Sequence, residues 1–116
     1  MYAVIFEVTP TIEGKEHYLQ IAANIRTFLE NQPGLISIER FQSLIDEKKL
    51  LSLSFWESED AIAGWRNLLE HRSAQKVGKE SLFSNYRIRV ANVVRDYTNN
   101  ERHEAPNDSN AVLNRS

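Results

Sequence analysis

The 116-residue chain has no cysteine, a single methionine, three prolines and four glycines. Without cysteine there can be no disulfide, no thiol nucleophile and no Cys-based zinc or iron–sulfur site. No apolar run approaches the eighteen or so residues that a membrane span needs. No basic segment precedes the opening MYAVIFEV, so a cleaved signal peptide is not expected, and the cytoplasm is the expected compartment. A formal net charge of −2 gives no electrostatic case for nucleic acid or an anionic membrane as partner. The patterns GxGxxG, GxxxxGK[ST], GxSxG and HExxH are all missing, which removes the main sequence support for nucleotide, esterase and zinc-protease chemistry.

What remains is an ordinary globular composition, 41% hydrophobic and 26% charged, in a chain long enough for one domain with a real core. Tyr2 to Thr9 is dense in β-formers, with Tyr2, Val4, Phe6 and Val8 on one face and Ala3, Ile5 and Glu7 on the other. Both faces begin apolar, as in a strand covered on two sides, and Glu7 in that setting wants a partner. From about Gly14 to Gln32 the period becomes helical, with Tyr18, Ile21, Ala22, Ile25, Phe28 and Leu29 in one stripe, until Pro33 and Gly34 stop it. Leu35 to Leu44 and Leu50 to Trp56 alternate around a polar turn at Asp46, Glu47 and Lys48, and predict an antiparallel hairpin.

The chain is organised around the stretch that follows. Ser58 stands at a helix N-cap, Glu59 and Asp60 suit the first turn, and Ala61, Ile62, Trp65, Leu68 and Leu69 form an apolar stripe. Arg66, Asn67, Glu70 and His71 occupy the opposite face. Ala74 to Asn85 is expected to be helical in two short pieces about Gly78. Tyr86 to Tyr97 is expected to be the last strand, with Arg87, Arg89, Arg95 and Tyr97 on one face. Residues 99–116 are polar and aperiodic, and are expected to be disordered or draped on a partner.

The order is β-α-β-β-α-β, the ferredoxin-like pattern: an α+β fold with a four-stranded antiparallel sheet and helices on one face, in a domain spanning residues 1–98. Helices on one face leave the other bare, although the strands are apolar on both. Pairing two such sheets about a two-fold axis removes that liability and predicts a homodimer through the sheet face.

Three histidines are present, His17, His71 and His103, in contexts that do not converge on a metal. His71 lies four residues after Asn67, so the two share a helix face. It can be read as a proton acceptor at a cavity mouth or as a solvated histidine near a helix end. Trp65 is either core packing or the wall of a pocket between helix and sheet that holds an aromatic ligand. Trp56 packs or caps the sheet edge. Arg87, Arg89 and Arg95 can bind an anionic oxygen or pair with carboxylates, Glu7 and Glu39 being the candidates.

The stretch FWESEDAIAGW, the segment PGLISIERFQS after the first helix and the closing YRIRVANVVRDY together resemble the antibiotic biosynthesis monooxygenase (ABM) domain, over about Met1 to Tyr97. The resemblance implies a dimeric α+β barrel. In one branch of that family, phenols or quinols are oxygenated by molecular oxygen without metal or flavin, the substrate's own carbanion donating an electron to oxygen. This implies a monooxygenase acting on a small aromatic substrate with no cofactor, Trp65 and Phe6 binding the substrate and His71 or Asn67 acting as the polar, catalytic groups. Another branch binds and degrades haem, using an asparagine on the first strand, a tryptophan on the second helix and a haem-ligating histidine ten residues later. Trp65 matches the tryptophan, whereas Phe6 and Gln75 stand at the other two positions. A non-catalytic dimeric module that binds a small ligand or a partner protein is the further alternative.

Overall fold

The computed structural model describes residues 1–12, 15–73, 76–77, 80–81 and 83–114, without the side chains of 21, 24, 25, 28, 69–73, 76, 77, 80, 81, 83 and 114. Strand β1 (Tyr2–Pro10) leads into helix α1 (Lys15–Leu29), the hairpin β2 (Leu35–Gln42) and β3 (Leu50–Trp56), and helix α2 (Glu59–Ser73). Two short strands, β4 (Lys76–Val77) and β5 (Glu80–Ser81), precede β6 (Phe83–Asn92), and a last helix, α3, covers Asn107–Asn114.

The main sheet has the order β2-β3-β1-β6 with every neighbouring pair antiparallel. This is the ferredoxin-like arrangement that the alternation predicts. The register carries the site: Phe6 lies opposite Ser52 on one side and Ile88 on the other, and Ser52 lies opposite Arg40. Tyr2, Val4, Phe6 and Val8 therefore face the helices, and Val4, Phe6 and Val8 are buried there with Tyr18 and Leu29 of α1 and with Trp56, Ile62 and Trp65. The side chains of Ile21, Ile25, Phe28 and Leu69, expected in the same stripes, lie outside the described residues.

Gly34 is the hinge between α1 and the hairpin. Its φ of +89° belongs to the left-handed region, and a Cβ built on it would lie 2.6 Å from the Ala61 Cβ. Its carbonyl accepts a hydrogen bond from the Glu57 amide at 2.8 Å, so the bend after α1 is fastened to the start of α2. A side chain cannot enter that contact, which is why glycine follows Pro33 here.

Three expectations are corrected. The segment before the last strand is not two helical pieces: its described residues pair as the antiparallel ribbon β4–β5, with Lys76 opposite Ser81 and Val77 opposite Glu80. The last strand begins at Phe83 rather than Tyr86, because Thr9 and Pro10 at the end of β1 offer ladder partners to Asn85 and Phe83. It also ends at Asn92 rather than Tyr97. The Val93 amide, donating to the Met1 carbonyl at 3.0 Å, makes the last bond before the chain leaves the sheet. The polar stretch beyond Asn99, read as lacking periodicity, carries α3.

Candidate functional site

Helix α2 places the first of the site's aromatic residues. The Ser58 hydroxyl accepts a hydrogen bond from the Ala61 amide at 3.3 Å, and Glu59 and Asp60 stand in the first turn, where the helix dipole favours negative charge. From that start, Ile62 and Trp65 fall on the face turned to the sheet, 1% and 4% exposed. Alternation along β1 turns Phe6 to the same side. The two rings meet edge to face, with centroids 6.0 Å apart and planes at 84°. On its other side Phe6 meets Tyr86 of β6, also at 6.0 Å, with planes at 51°. Phe6 is thus the centre of a three-ring nest, closed where Trp65 is buried and open where Tyr86 is 42% exposed.

Polar groups flank the nest on the helix-facing side. Ser52 and Ser54 of β3 are buried, and the Ser54 hydroxyl accepts a hydrogen bond from Trp56 Nε1 at 2.8 Å. Of the two readings of Trp56, packing holds and capping the sheet edge does not: it is fully buried in the sheet–helix core, and β1 and β2 both flank β3. Burial pushes the Tyr18 phenol above its ordinary pKa, and the charge of Arg40 partly offsets this. Among the described residues, no buried side-chain nitrogen or oxygen lacks a hydrogen-bond partner.

The opposite face of the sheet carries Ala3, Ile5, Leu51, Leu53 and Phe55, with Ile36 and Phe41 exposed at its β2 border. Glu7, expected to need a partner, has two: Lys49 Nζ at 3.2 Å and Arg89 Nη1 at 3.2 Å. The hydrogen bond from Lys49 holds its carboxyl below the ordinary glutamate range against a smaller opposing effect of burial, and the charges of Lys49, Arg89 and Arg87 add to the lowering. Arg95 does not share this face with Arg89. Its guanidinium donates to the Glu104 carbonyl, beyond the end of the strand.

The residues singled out in the sequence separate into two groups. Phe6 and Trp65 are brought together. Asn67, two positions beyond Trp65 on α2, is exposed, and the side chains of His71 and Gln75 lie outside the described residues. Tyr86 was not singled out. Its signal is the register, which sets it opposite Val8 and so one step along the helix-facing side from Phe6. For haem, Phe6 offers a phenyl ring where the haem-degrading pattern has a side-chain amide, and that ring is enclosed by two others. Among the described residues, no group of three His, Asp or Glu could hold a metal ion.

The family model of the antibiotic biosynthesis monooxygenases matches residues 1–77. The chain belongs to the antibiotic biosynthesis monooxygenase family. A curated ABM relative, "Jasmonate monooxygenase ABM" of Pyricularia oryzae, is 38% identical over 101 residues, 87% of this chain and 47% of the relative. The chain thus spans about half the length of that relative. Among solved ABM-fold structures, SnoaB of Streptomyces nogalater, described as a cofactor-independent oxygenase, superposes with a TM-score of 0.64 at 13% identity, covering 82% of this chain and 94% of SnoaB. MhuD of Mycobacterium tuberculosis, described as a heme-degrader with two hemes bound in its active site, superposes with a TM-score of 0.61 at 16% identity, covering 84% of this chain and all of MhuD. At those identities the two structures share the fold with this ABM protein. One fold carries both chemistries, so the fold by itself assigns neither to this chain.

Proposed function

We propose that this ABM protein is a cofactor-independent monooxygenase that oxidises a small, electron-rich aromatic substrate of the phenol or quinol type with molecular oxygen. The observation that carries the reading is the nest in which Phe6 touches both Trp65 and Tyr86, buried on one side and open on the other. Such rings hold a flat apolar substrate by offset or edge-to-face contact. The chemistry asks little of the protein. A base removes a proton from the substrate, the resulting anion gives an electron to oxygen, and the radical pair joins to form a C–O bond. The peroxide then loses water with the hydrogen of that ring carbon: the ring C–H carbon becomes a carbonyl, one oxygen atom stays on it and the other leaves as water. Asn67 and His71, on the face of α2 opposite Trp65, are the proposed groups that hold and deprotonate the substrate oxygen, which requires the helix to bend or a loop to fold over the nest.

The bare sheet face supports a second part of the proposal, that two copies pair through it. Ile5, Leu51, Leu53 and Phe55 remain half-exposed in one chain, and Ile36 and Phe41 more so. A two-fold pairing would cover them and close the α+β barrel.

The 38% identity to the fungal relative favours jasmonate as a second candidate substrate. Haem is the weaker reading, because Phe6 supplies no donor. An oxygen electrode tests the proposal: a quinol-type substrate and jasmonate are each offered to the metal-free, flavin-free protein. Uptake of one oxygen molecule per molecule of product supports it. Absence of uptake with both, together with no substrate-dependent change in tryptophan emission, would sink it.

A further inference from the structure

Strand register sets which side chains stand in line with Phe6 on the helix-facing side of the sheet. From β2 to β6 that row reads Arg40, Ser52, Phe6 and Ile88. The row on one side of it reads Ile38, Ser54, Val4 and Val90, and the row on the other reads Gln42, Leu50, Val8 and Tyr86. Arg40 therefore stands on the side of the helices, two strands from Phe6, while its neighbours Glu39 and Phe41 alternate to the bare face with Leu53 and Leu51. Ile38, the next residue along the same face of β2, packs against the core. A cation at the following inward position of that strand calls for a reason.

The charge of Arg40 is not compensated by the groups around it. Among the described residues, the ion pairs are those of Glu7 with Lys49 and Arg89 on the opposite face, and no carboxylate pairs with Arg40. The neighbouring polar side chains are engaged elsewhere: the Gln42 amide donates to the Glu47 carbonyl at 2.8 Å, and the Ser54 hydroxyl accepts from Trp56 Nε1. Burial raises the Tyr18 pKa and the Arg40 charge lowers it, so the field of the guanidinium reaches the helix-facing core that Tyr18 shares with Phe6. Between Arg40 and Phe6 stands Ser52, buried and small, which puts no bulk between the ring and the cation and adds a hydroxyl.

A guanidinium presents a planar fork of N–H donors that matches the two oxygens of a carboxylate. Adjacent strands lie about 4.8 Å apart, so about 10 Å separates the backbones at Phe6 and Arg40, and the long arginine side chain spans part of that distance. We propose that Arg40 is the anion anchor of the aromatic site: the substrate's ring lies in the nest around Phe6, and a carboxylate carried roughly 5 Å from the ring is held by the Arg40 guanidinium over Ser52. The inference rests on the aromatic-substrate reading of the nest and narrows it to ring compounds that carry an acid side chain. The competing role is that of a charged guard, since β2 is an edge strand and an inward-pointing charge keeps such an edge from pairing with another chain.

The test compares phloretate, a phenol with a propanoate side chain, with its methyl ester, which has the same ring and no charge. Titration calorimetry and tryptophan emission give the dissociation constants of both for the full chain, Arg40→Gln and Arg40→Lys, with circular dichroism to establish that each variant folds. The parent should bind the acid roughly ten- to a hundredfold more tightly than the ester. Arg40→Gln should abolish that preference by weakening the acid alone, Arg40→Lys should restore part of it, and added salt should weaken the acid and spare the ester. Equal binding of acid and ester by the parent overturns the anchor, leaves the aromatic nest standing and returns Arg40 to the guard of the edge strand. A preference for the acid that persists in Arg40→Gln also overturns it, because another cation then holds the carboxylate. Binding of neither compound overturns the anchor together with the nest as a site for phenols.

Discussion

Phe6 and Trp65 stand edge to face at 6.0 Å, one from the central strand and the other from the second helix, and both are almost completely buried. The contact joins the sheet to α2 at the point where a substrate is proposed to sit. With its ring buried in that contact, Trp65→Ala should cost roughly 3–5 kcal/mol of stability. Denaturant melts of Trp65→Ala, Phe6→Ala and the double variant check this. The cycle should return a coupling of about 0.5–1.5 kcal/mol for the ring pair itself.

His71 is proposed as the base on the polar face of the same helix. His71→Ala should lower oxygen consumption about 10²–10⁴-fold and change stability by only about 0.5 kcal/mol. The parent protein should show a pH dependence near the histidine range. Unchanged turnover in His71→Ala would return that residue to the solvated surface.

Haem added to the pure protein should give no sharp, saturable Soret shift, because Phe6 brings a phenyl ring where a polar side chain is needed. Tight stoichiometric binding that is lost in His71→Ala would promote the histidine to axial ligand and reverse the assignment.

Gly34→Ala should destabilise the fold by roughly 2 kcal/mol or more, with about 1–2 kcal/mol from the left-handed backbone alone. The remainder comes from the new methyl group, which would press on Ala61 at 2.6 Å. Thermal melts of Gly34→Ala beside Ala61→Gly and the double variant separate the two causes, since only the clash is relieved by removing the Ala61 methyl.

Glu7 gives the protein an acid-sensitive contact. Its carboxyl titrates below the ordinary glutamate range because Lys49 and Arg89 favour the charged form. The unfolded chain takes up the proton first as pH falls. The pair's contribution is thus fully present above about pH 4.5 and is lost as pH drops through the lower folded value. Stability measured from pH 7 to pH 3 should converge between the parent and Glu7→Gln at the acid end, and added salt should narrow the gap at neutral pH. A constant difference over that range would count against the contact.

The sequence legibly encodes those elements whose causes are local. Ser58 and the acidic pair after it mark the start of α2, Pro33 and Gly34 mark the bend after α1, and alternation through Phe6 and Trp56 marks strands whose inner faces are buried. The ends of the last strand are not local facts. Phe83 joins the sheet because Pro10 is there to pair with it, and the far end is set by the Val93 amide, which donates to the Met1 carbonyl. The ribbon at Lys76–Val77 and Glu80–Ser81 was missed for a related reason: two residues per strand are too few to show a period. At the site, Trp65 is visible as part of a stripe and Phe6 as part of an alternation. Their meeting, and the arrival of Tyr86 beside them, depend on strand register.

The burial of both tryptophans has an optical consequence. Trp56 is sealed in the core with its indole N–H bonded to the Ser54 hydroxyl, while Trp65 borders the nest through Phe6. The molecule therefore holds two intrinsic fluorophores that are both shielded from solution quenchers when it is folded, yet only one of them neighbours the proposed ligand. With Trp56→Phe, the remaining emission becomes a direct gauge of occupancy. With Trp65→Phe it becomes a gauge of folding that a bound substrate does not disturb, so binding and unfolding can be followed as separate signals in one sample.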